Sequence, residues 1–331
     1  MKIAIVKLSA LGDIVHAMIV LQFIKKYNPK IEIDWIIDQS YNEIVEFHPD
    51  INNVYSLDIK NVKKKKSIFL FLSELKKIKT IGPYDIVIDM QGLIKSAIIA
   101  KLIPSKLILG FDKFSSREGF SSIFYKQKFK IGYHENVIER NFELIKFALS
   151  LPFDSSEIMN KNPFLYSNQK YQSPILSSTR KNIILIPGAS NSSKRYPLEK
   201  FARLSDLIEA NFIVVWGNEE ERLISKKIKA MSPSVNICEK LSIKSLISLF
   251  KEVDLVIGGD TGPTHIAWAL NIPSITIFGS TPEYRNTYKD KTHKVVKSNS
   301  KVDPYKIDQS DHSIKKITVD EIVSVVKKLL I

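Results

Sequence analysis

The chain has 331 residues, of which 44% are hydrophobic, so it can bury one large core or, as we expect, two cores of ordinary size. Its formal net charge of +14 favours an anionic partner such as nucleic acid, an acidic membrane surface or a phosphorylated substrate, although a lysine-rich surface alone would also produce it. A single cysteine excludes an intrachain disulfide, and no apolar run reaches about 18 residues, so we expect a cytoplasmic protein without a membrane-spanning helix.

In the first half of the chain, short apolar runs alternate with helical spacing. Strands are predicted at Lys2–Lys7, Ile31–Asp38 and Tyr84–Asp89, and helices at residues 14–27 and 93–102. Strands separated by helices at this spacing predict βαβ units and a parallel sheet.

A segment from about residue 153 to residue 180 is rich in Pro, Ser, Asn, Gln and Tyr and lacks periodicity, which is typical of a linker between domains. The alternation then restarts, with strands predicted at 182–188, 212–217, 235–238, 254–257 and 274–279 and helices at 198–210, 219–231, 242–251 and 319–330. The predicted fold class is α/β, with one domain over residues 1–160, a linker over 161–180, a second domain over 181–316 and a C-terminal helix over 317–331. Two doubly wound halves in tandem imply a cleft between them.

The segment Gly258–Ala267 reads as the end of a strand, a tight turn and the start of a helix. Gly259 and Gly262 permit a sharp turn, and Pro263 suits the first helical position. Free N–H groups at such a helix start can bind an anion, and Asp260 can accept hydrogen bonds from sugar hydroxyls. Further side-chain donors are Thr261, Thr264 and His265. The segment predicts a site for a phosphorylated, polyhydroxylated ligand; the alternative is an ordinary glycine-rich turn before a capped helix.

The turn after the first strand, Lys7–Asp13, has one glycine and is not a dinucleotide-binding fingerprint. Asp13 lies at a helix start, where the helix dipole favours the ionised carboxylate, and an ionised carboxylate in a cleft can act as a general base. The alternative is a first-turn acid that only stabilises its helix. Because Asp13 and Asp260 each follow a strand, we expect them to face one another across the cleft.

Two more loops follow predicted strands of the second half. Residues 187–197 combine small polar residues with Lys194 and Arg195, which suits phosphate binding or, alternatively, a solvated surface loop. In Trp216–Glu221, a carboxylate can accept hydrogen bonds from ribose hydroxyls; the alternative is an acidic first helical turn.

In the first half, a lysine run precedes and interleaves with the apolar residues 68–78, a pattern that suits an anionic membrane, an acidic acceptor or, alternatively, a core helix with a solvated face. Metal binding finds little support, since there is no Asp-x-Asp pair and the six histidines lack ligand spacing. A serine or cysteine hydrolase would need a nucleophile elbow, which the sequence lacks.

Taken together, Val6–Asp13, Ile88–Ala97, Ser116–Glu118 with Phe124–Tyr125, Asn136–Arg140 and Asp260–His265 resemble the bacterial ADP-heptose glycosyltransferases, the lipopolysaccharide heptosyltransferases. The Gln91-Gly92 and Arg117-Glu118 segments are more similar to type I than to type II of that family. The resemblance covers most of the chain. Residues from about 285 to 316 match poorly and receive no predicted role.

The resemblance implies a GT-B architecture of two Rossmann-like domains, with the C-terminal helix packing back toward the first. It implies an inverting transfer of L-glycero-D-manno-heptose from ADP-heptose to the inner Kdo of Kdo-lipid A, without a metal or other cofactor, at the inner face of the cytoplasmic membrane of a Gram-negative bacterium. A monomer that associates peripherally with the anionic membrane surface is expected.

The resemblance also implies roles for individual residues, with Asp13 as the general base and Lys194 compensating the charge of the donor diphosphate. The implied donor-binding residues are Ser190, Lys194, Glu219, Leu241, Asp260, Thr261, Gly262, Pro263, Thr264 and His265; the implied acceptor-binding residues are Lys63, Lys64, Lys65, Lys66, Gln91 and Arg117. The pattern departs from relatives at Pro187 and Tyr196, where His and Trp are frequent, and at Leu241, where an adenine-facing Met is familiar.

Three alternatives stay open. A heptosyltransferase of type II, or another ADP-heptose transferase, would differ in its acceptor. A nucleotide-sugar epimerase also uses two Rossmann-like halves and would convert the donor without an acceptor. Charge alone suggests a nucleic-acid-binding protein, but no nucleic-acid-binding motif accompanies the charge, so no nucleic acid partner is expected.

Overall fold

Two sheets of six parallel strands organise the chain, which divides into one unit up to residue 164 and a second from residue 165. The structure is a computed structural model that describes residues 1–65 and 67–330. The division falls inside the predicted linker at 161–180, and a 3-10 helix at residues 155–160 immediately precedes that linker.

The first unit has strands β1 to β6 and helices α1 to α6. The strands are β1 (Lys2–Val6), β2 (Glu32–Asp38), β3 (Asn53–Leu57), β4 (Tyr84–Asp89), β5 (Ser105–Phe111) and β6 (Gln127–Phe129). The helices are α1 (Leu11–Met18), α2 (Val20–Tyr27), α3 (Ile59–Lys65), α4 (Ile68–Thr80), α5 (Ile94–Leu102) and α6 (Val137–Leu149). The sheet order is β3-β2-β1-β4-β5-β6, the doubly wound arrangement.

The second unit repeats this plan. Its strands are β7 (Asn182–Ile186), β8 (Asn211–Val214), β9 (Asn236–Ile237), β10 (Leu255–Gly259), β11 (Ser274–Phe278) and β12 (His293–Lys297). Its helices are α7 (Leu198–Leu207), α8 (Glu219–Met231), α9 (Ile243–Phe250), α10 (Gly262–Ala269), α11 (Glu283–Asn286) and α12 (Val319–Leu329). The sheet order, β12-β11-β10-β7-β8-β9, gives the same topology, and the α/β fold class is confirmed.

Helices on both faces explain why the central strands are so apolar. Every residue of β7, β10 and β11 is buried, because each strand contacts neighbours on both edges and helices on both faces. Residues with this burial cannot alternate polar with apolar side chains, so they read as continuous apolar runs in the sequence.

The C-terminal helix belongs to the second unit. Val319, Ile322 and Val326 lie on one side of α12 and are buried in the same core as Ile277 of β11 and Val296 of β12. The predicted return of this helix toward the first domain stays a prediction.

Candidate functional site

Four loops lie where a doubly wound sheet forms its ligand-binding crevice. In the first sheet, strands β1 to β3 extend to one side and strands β4 to β6 to the other, so the strand order reverses between β1 and β4. In the second sheet, the strand order reverses in the same way between β7 and β10. Ligands of such sheets bind beyond the carboxyl ends of the strands at this point. Asp13 and Gln91 follow β1 and β4, and Lys194 and Asp260 follow β7 and β10.

In the second unit, the carboxylate of Asp260 is the centre of a buried polar cluster. Lys194 Nζ lies 2.7 Å from Asp260 Oδ2, and their side chains are only 13% and 6% exposed. His265 Nε2 lies 3.2 Å from Asp260 Oδ1. Thr281 Oγ1 and Asn286 Nδ2 donate to Asp260 Oδ2 at 2.8 and 3.1 Å. The cluster therefore draws on the loops after β7, β10 and β11.

Two members of this cluster were missed by the sequence analysis. Thr281 follows β11 in the polar stretch Gly279-Ser280-Thr281, and a polar stretch at a strand end is a signal that could have found it. Asn286 lies within the segment that received no role, and no local pattern marks it.

The neighbours of Asp260 in this cluster keep its carboxyl group ionised. Burial alone would raise the pKa of this carboxyl, but the Lys194 ammonium and the His265 ring more than offset burial and hold the pKa of Asp260 well below its usual range. Asp260 is therefore ionised, and its two oxygens already accept from four groups. This arrangement limits the predicted contact of Asp260 with sugar hydroxyls, because a sugar must compete with those donors.

The cations of the loop after β7 are both paired. Lys194 pairs with Asp260, and Arg195 pairs with Glu220 through its two terminal nitrogens, Nη1 and Nη2, and donates from Nε to Ala189 O at 3.0 Å. The predicted excess of positive charge on this loop is thus largely neutralised by carboxylates of the same unit.

Backbone donors of the same loop are better placed for an anion. The N–H groups of Ala189, Ser190, Asn191 and Ser192 donate to no group within residues 1–65 and 67–330. Ser190 is exposed. Successive unengaged N–H groups in a loop form a concave site for phosphate oxygens.

The two glycines at the end of β10 permit close packing rather than a left-handed turn. A Cβ on Gly259 would lie 2.7 Å from Lys194 O, so this glycine lets the Lys194 backbone approach the strand. A Cβ on Gly258 would lie 2.6 Å from Thr264 Oγ1. The sequence analysis selected Gly259 for a sharp turn, but its physical role is the close approach of the Lys194 backbone.

The prediction that the Thr264 hydroxyl is a ligand donor was wrong. Thr264 is 1% exposed and its Oγ1 donates to Gly259 O at 2.9 Å, because the hydroxyl satisfies a buried carbonyl at the end of β10. The helix start offers fewer donors than predicted, since Thr264 N bonds to Thr261 O and Pro263, at the second helical position, has no N–H. Thr261 and Gly262 are half-buried at the N-terminus of α10, where N–H donors are left over.

The structure distinguishes the acids at the start of α8. Glu219 lies 3.0 Å from Arg222 with its side chain 72% exposed. Glu221 instead reaches the strand ends, where its Oε2 accepts from Gly217 N at 2.7 Å and its carboxyl group would lie 2.4 Å from a Cβ on Gly188. Glu221, which sequence reasoning did not select, is therefore better placed than Glu219 to meet a ligand above β7 and β8. Leu241 is half-buried after β9.

In the first unit, Asp13 lies at the third position of α1 and is exposed, with Oδ2 3.3 Å from Ala10 N. The loop before it is held by Gln91, whose Oε1 accepts from Leu8 N at 3.0 Å and from Ser9 N at 3.1 Å. The predicted acceptor-binding residue Gln91 thus orients the Asp13 loop through its amide oxygen.

Behind Gln91, a buried carboxylate that sequence reasoning missed organises the loop after β4. Asp89 is 0% exposed and accepts from Gln91 N, Gly92 N and Ser96 Oγ at 2.8, 3.2 and 2.8 Å. Tyr125 Oη also donates to it at 2.6 Å. Burial raises the pKa of Asp89 despite these donors.

The remaining predicted acceptor-binding residues are basic. Lys64, Lys65 and Arg117 are exposed. Lys66 lies outside the described residues, as does the side chain of Lys63. Beside Arg117, Glu118 Oε2 accepts from Ile94 N at 2.8 Å, which ties the Arg117 loop to the start of α5.

Within residues 1–65 and 67–330, no group of three or more His, Cys, Asp or Glu side chains is arranged to hold a metal ion. No helix in the same part of the chain is long and apolar enough to cross a bilayer. Asp13 and the Asp260 cluster belong to different units, and their meeting across a cleft stays a prediction.

Comparisons with known proteins agree on one family. The profile of glycosyltransferase family 9 (heptosyltransferase) matches residues 75–312. Lipopolysaccharide heptosyltransferase 1 of Campylobacter coli is 39% identical over 99% of this chain and 99% of its own. Among solved structures, an Escherichia coli heptosyltransferase with ADP has a TM-score of 0.80 at 22% identity, over 99% of this chain and 100% of its own. Escherichia coli ADP-heptose heptosyltransferase II has a TM-score of 0.70 at 17% identity, over 100% and 98% of the two chains.

Proposed function

Because the chain belongs to glycosyltransferase family 9, the heptosyltransferases, we propose that it transfers L-glycero-D-manno-heptose from ADP-heptose to the inner Kdo of Kdo-lipid A in lipopolysaccharide core synthesis. The observation that carries the proposal is the buried Lys194–Asp260–His265 cluster beside unengaged backbone donors at the crevice of the second sheet. A full-length relative at 39% identity that is a type 1 enzyme supports the choice of acceptor.

The donor is assigned to the second unit. Its diphosphate is bound by the N–H groups of residues 189–192 and by the start of α10, with Lys194 supplying a donor from within its ion pair. Glu221 accepts from the ribose hydroxyls beside Gly188. Since Lys194 is already paired with Asp260, the site binds the diphosphate mainly through oriented dipoles, which can stabilise growing charge on the leaving group without reorganisation.

The acceptor is assigned to the first unit, beside Asp13. Asp13 takes the proton from a Kdo hydroxyl while the hydroxyl oxygen forms a bond to the anomeric carbon of the heptose. The bond from that carbon to the phosphate oxygen breaks on the opposite face, and ADP leaves with the electron pair, so the anomeric configuration inverts. Gln91 holds the Asp13 loop in place through its bonds to Leu8 N and Ser9 N.

Exposed cations of the first unit suit an anionic acceptor. Kdo carries a carboxylate and lipid A carries phosphates, and Arg117, Lys64 and Lys65 are exposed near the loops after β3 and β5. Because this acceptor is a membrane lipid, the proposed enzyme associates peripherally with the anionic inner face of the cytoplasmic membrane. We further propose that it acts as a monomer.

The test is to incubate the protein with ADP-heptose, with and without Kdo-lipid A, and to measure ADP release. We expect release that depends on the acceptor and persists in a chelator, since the proposed reaction needs no metal. Conversion of ADP-heptose without acceptor would support the epimerase instead, and loss of activity in the chelator would refute the metal-free scheme. Activity only on an acceptor that already carries one heptose would support a type II enzyme.

A further inference from the structure

Large apolar side chains are exposed together on one side of the first unit. They come from α4, α5, the loop after β5 and the 3-10 helix at residues 119–124. The most exposed are Phe69 at 81%, Phe120 at 77% and Phe114 at 74%. We call this set the α4–α5 face; its members are Ile68, Phe69, Leu72, Ile94, Ile98, Phe114, Phe120 and Ile123.

These residues share a surface because their elements share a core. α4 packs against α5, and α5 packs against the 3-10 helix. The inner sides of the three elements are buried in one cluster with the same face of the sheet, through Ile78, Ala97 and Tyr125 among others. Since the inner sides meet the same core, the outer sides lie next to one another.

The spacing within each element makes the exposure systematic. Ile94 and Ile98 are four residues apart on α5, and Phe120 and Ile123 are three apart on the 3-10 helix, so each pair lies on one side of its helix. A soluble monomer rarely exposes a contiguous apolar patch of this kind unless the patch contacts a partner or a membrane.

The surroundings of the face are strongly basic. Residues 59–80 contain eight lysines and one acid, Glu74, which is 8% exposed and paired with Lys77 at 2.6 Å. Lys95, Lys101 and Lys113 add exposed cations around the other elements. The nearby carboxylates accept hydrogen bonds from backbone N–H groups: Glu118 accepts from Ile94 N, and Asp112 accepts from Phe114 N.

We propose that the α4–α5 face inserts into the interface of an anionic phospholipid bilayer, with its phenylalanines among the acyl chains and its lysines at the headgroups. The combination of exposed aromatic residues with a basic rim suits a surface that is apolar below and negatively charged above. A second copy of this chain fits less well, because the basic rims would repel each other across the interface. The inference rests on the proposed function, which supplies the lipid-linked acceptor, and it adds the surface by which the enzyme reaches that acceptor.

Flotation with vesicles tests the inference on the full chain. Vesicles that contain phosphatidylglycerol are compared with vesicles of phosphatidylcholine alone, at low and high salt. The wild-type protein should bind the anionic vesicles more tightly, and salt should weaken this binding. Phe69→Ser combined with Phe120→Ser should reduce the partition coefficient by about 10- to 100-fold, since two exposed phenylalanines lose their contact with acyl chains.

The control is Leu207→Ser combined with Leu223→Ser, which removes two leucines of the second unit that are 45% and 59% exposed. This variant should bind vesicles within about twofold of the wild type, since isolated exposed leucines do not form an insertion surface. An equal loss in the control, or no binding of the wild type to anionic vesicles, would overturn the inference. So would a wild-type dimer in solution that Phe69→Ser with Phe120→Ser converts to a monomer.

A second measurement separates this inference from the proposed function. Activity is assayed on a deacylated Kdo acceptor that needs no membrane. The Phe69→Ser, Phe120→Ser variant should retain wild-type turnover on it while losing vesicle binding. If the wild-type protein binds vesicles but transfers no heptose to either acceptor, the proposed function fails and the membrane surface stands.

Discussion

Removing Lys194 should leave the buried Asp260 carboxylate without its countercharge. At an Nζ–Oδ2 distance of 2.7 Å, the Coulomb attraction is about 6 kcal/mol at an effective dielectric constant of about 20. Desolvation of both groups offsets part of that value, and breaking a buried pair from one side costs about 3–5 kcal/mol. We therefore expect Lys194→Met to lower the free energy of unfolding of the second unit by about 3–5 kcal/mol.

The assay is urea unfolding followed by tryptophan fluorescence, since Trp216 and Trp268 lie in the second unit. The double variant Lys194→Met with Asp260→Asn should recover at least about 2 kcal/mol of the single variant's loss, because it removes the unpaired buried charge. Lys181→Met is the control: its pair with Asp254 is 2.8 Å long, but the side chains are 57% and 30% exposed, so the cost should stay below about 1 kcal/mol.

The same pair predicts the effect of pH. Because the pKa of Asp260 lies below its usual range in the folded protein, its contribution to stability is complete above the unfolded value near 3.9 and is lost as the pH falls below it. Removing Lys194 removes the largest cause that lowers that pKa, so Asp260 in the variant should protonate at a higher pH than in the wild type. The stability gap between the variant and the wild type should therefore narrow as the pH falls. A cost of Lys194→Met under about 1 kcal/mol, or a double variant no more stable than the single, would refute the reasoning.

Three further predictions concern single side chains. Glu221→Gln should weaken ADP binding about tenfold and Glu219→Gln less than twofold in calorimetry, because only Glu221 reaches the strand ends; equal effects would contradict the assignment. Tyr125→Phe removes a hydrogen-bond donor to the buried Asp89 carboxylate, so it should cost about 1–3 kcal/mol of stability and lower turnover without changing donor affinity. Unchanged turnover would limit the Tyr125–Asp89 hydrogen bond to a structural role. Burial lowers the pKa of His48 to about 4, and its Nδ1 accepts from Asp50 N, so the first unit should lose stability as the pH falls from about 6.5 to about 4; a His48→Asn variant with the same pH dependence would contradict this.

The most buried strands could be predicted because buried parallel strands must be apolar along their whole length, whereas β3, β5, β6 and β12 were not predicted. β7, β10 and β11 carry no polar alternation, and each appears as a run between turn residues. The order of the strands in the sheet cannot be predicted from the local sequence, since β1 pairs with β4, which lies more than eighty residues later in the chain. Two doubly wound halves were expected from the alternation of strands and helices, but the strand order within each sheet came from the structure.

The candidate site was predictable where local patterns carry it. Asp260 and Lys194 follow strands in polar turns, and the structure brings them within 2.7 Å. The prediction for Thr264 failed because a hydroxyl at a helix start can donate equally well to a ligand or to a buried carbonyl, and here it donates to Gly259 O. Asn286 and Tyr125 reach the sites through the tertiary fold, and no spacing in the sequence relates them to the carboxylates they contact.

The proposed role of Asp13 as general base is tested most directly by Asp13→Asn, which keeps an oxygen to accept from Ala10 N and so preserves the helix start. Donor affinity is measured by calorimetry and heptose transfer to Kdo-lipid A by single-turnover kinetics, with Glu199→Gln in the first turn of α7 as the control. We predict that Asp13→Asn binds ADP-heptose with wild-type affinity and transfers it about 10²- to 10⁴-fold more slowly, while the Glu199→Gln control keeps both the wild-type affinity and the wild-type transfer rate. Transfer at the wild-type rate, or loss of donor binding together with transfer, would contradict the account.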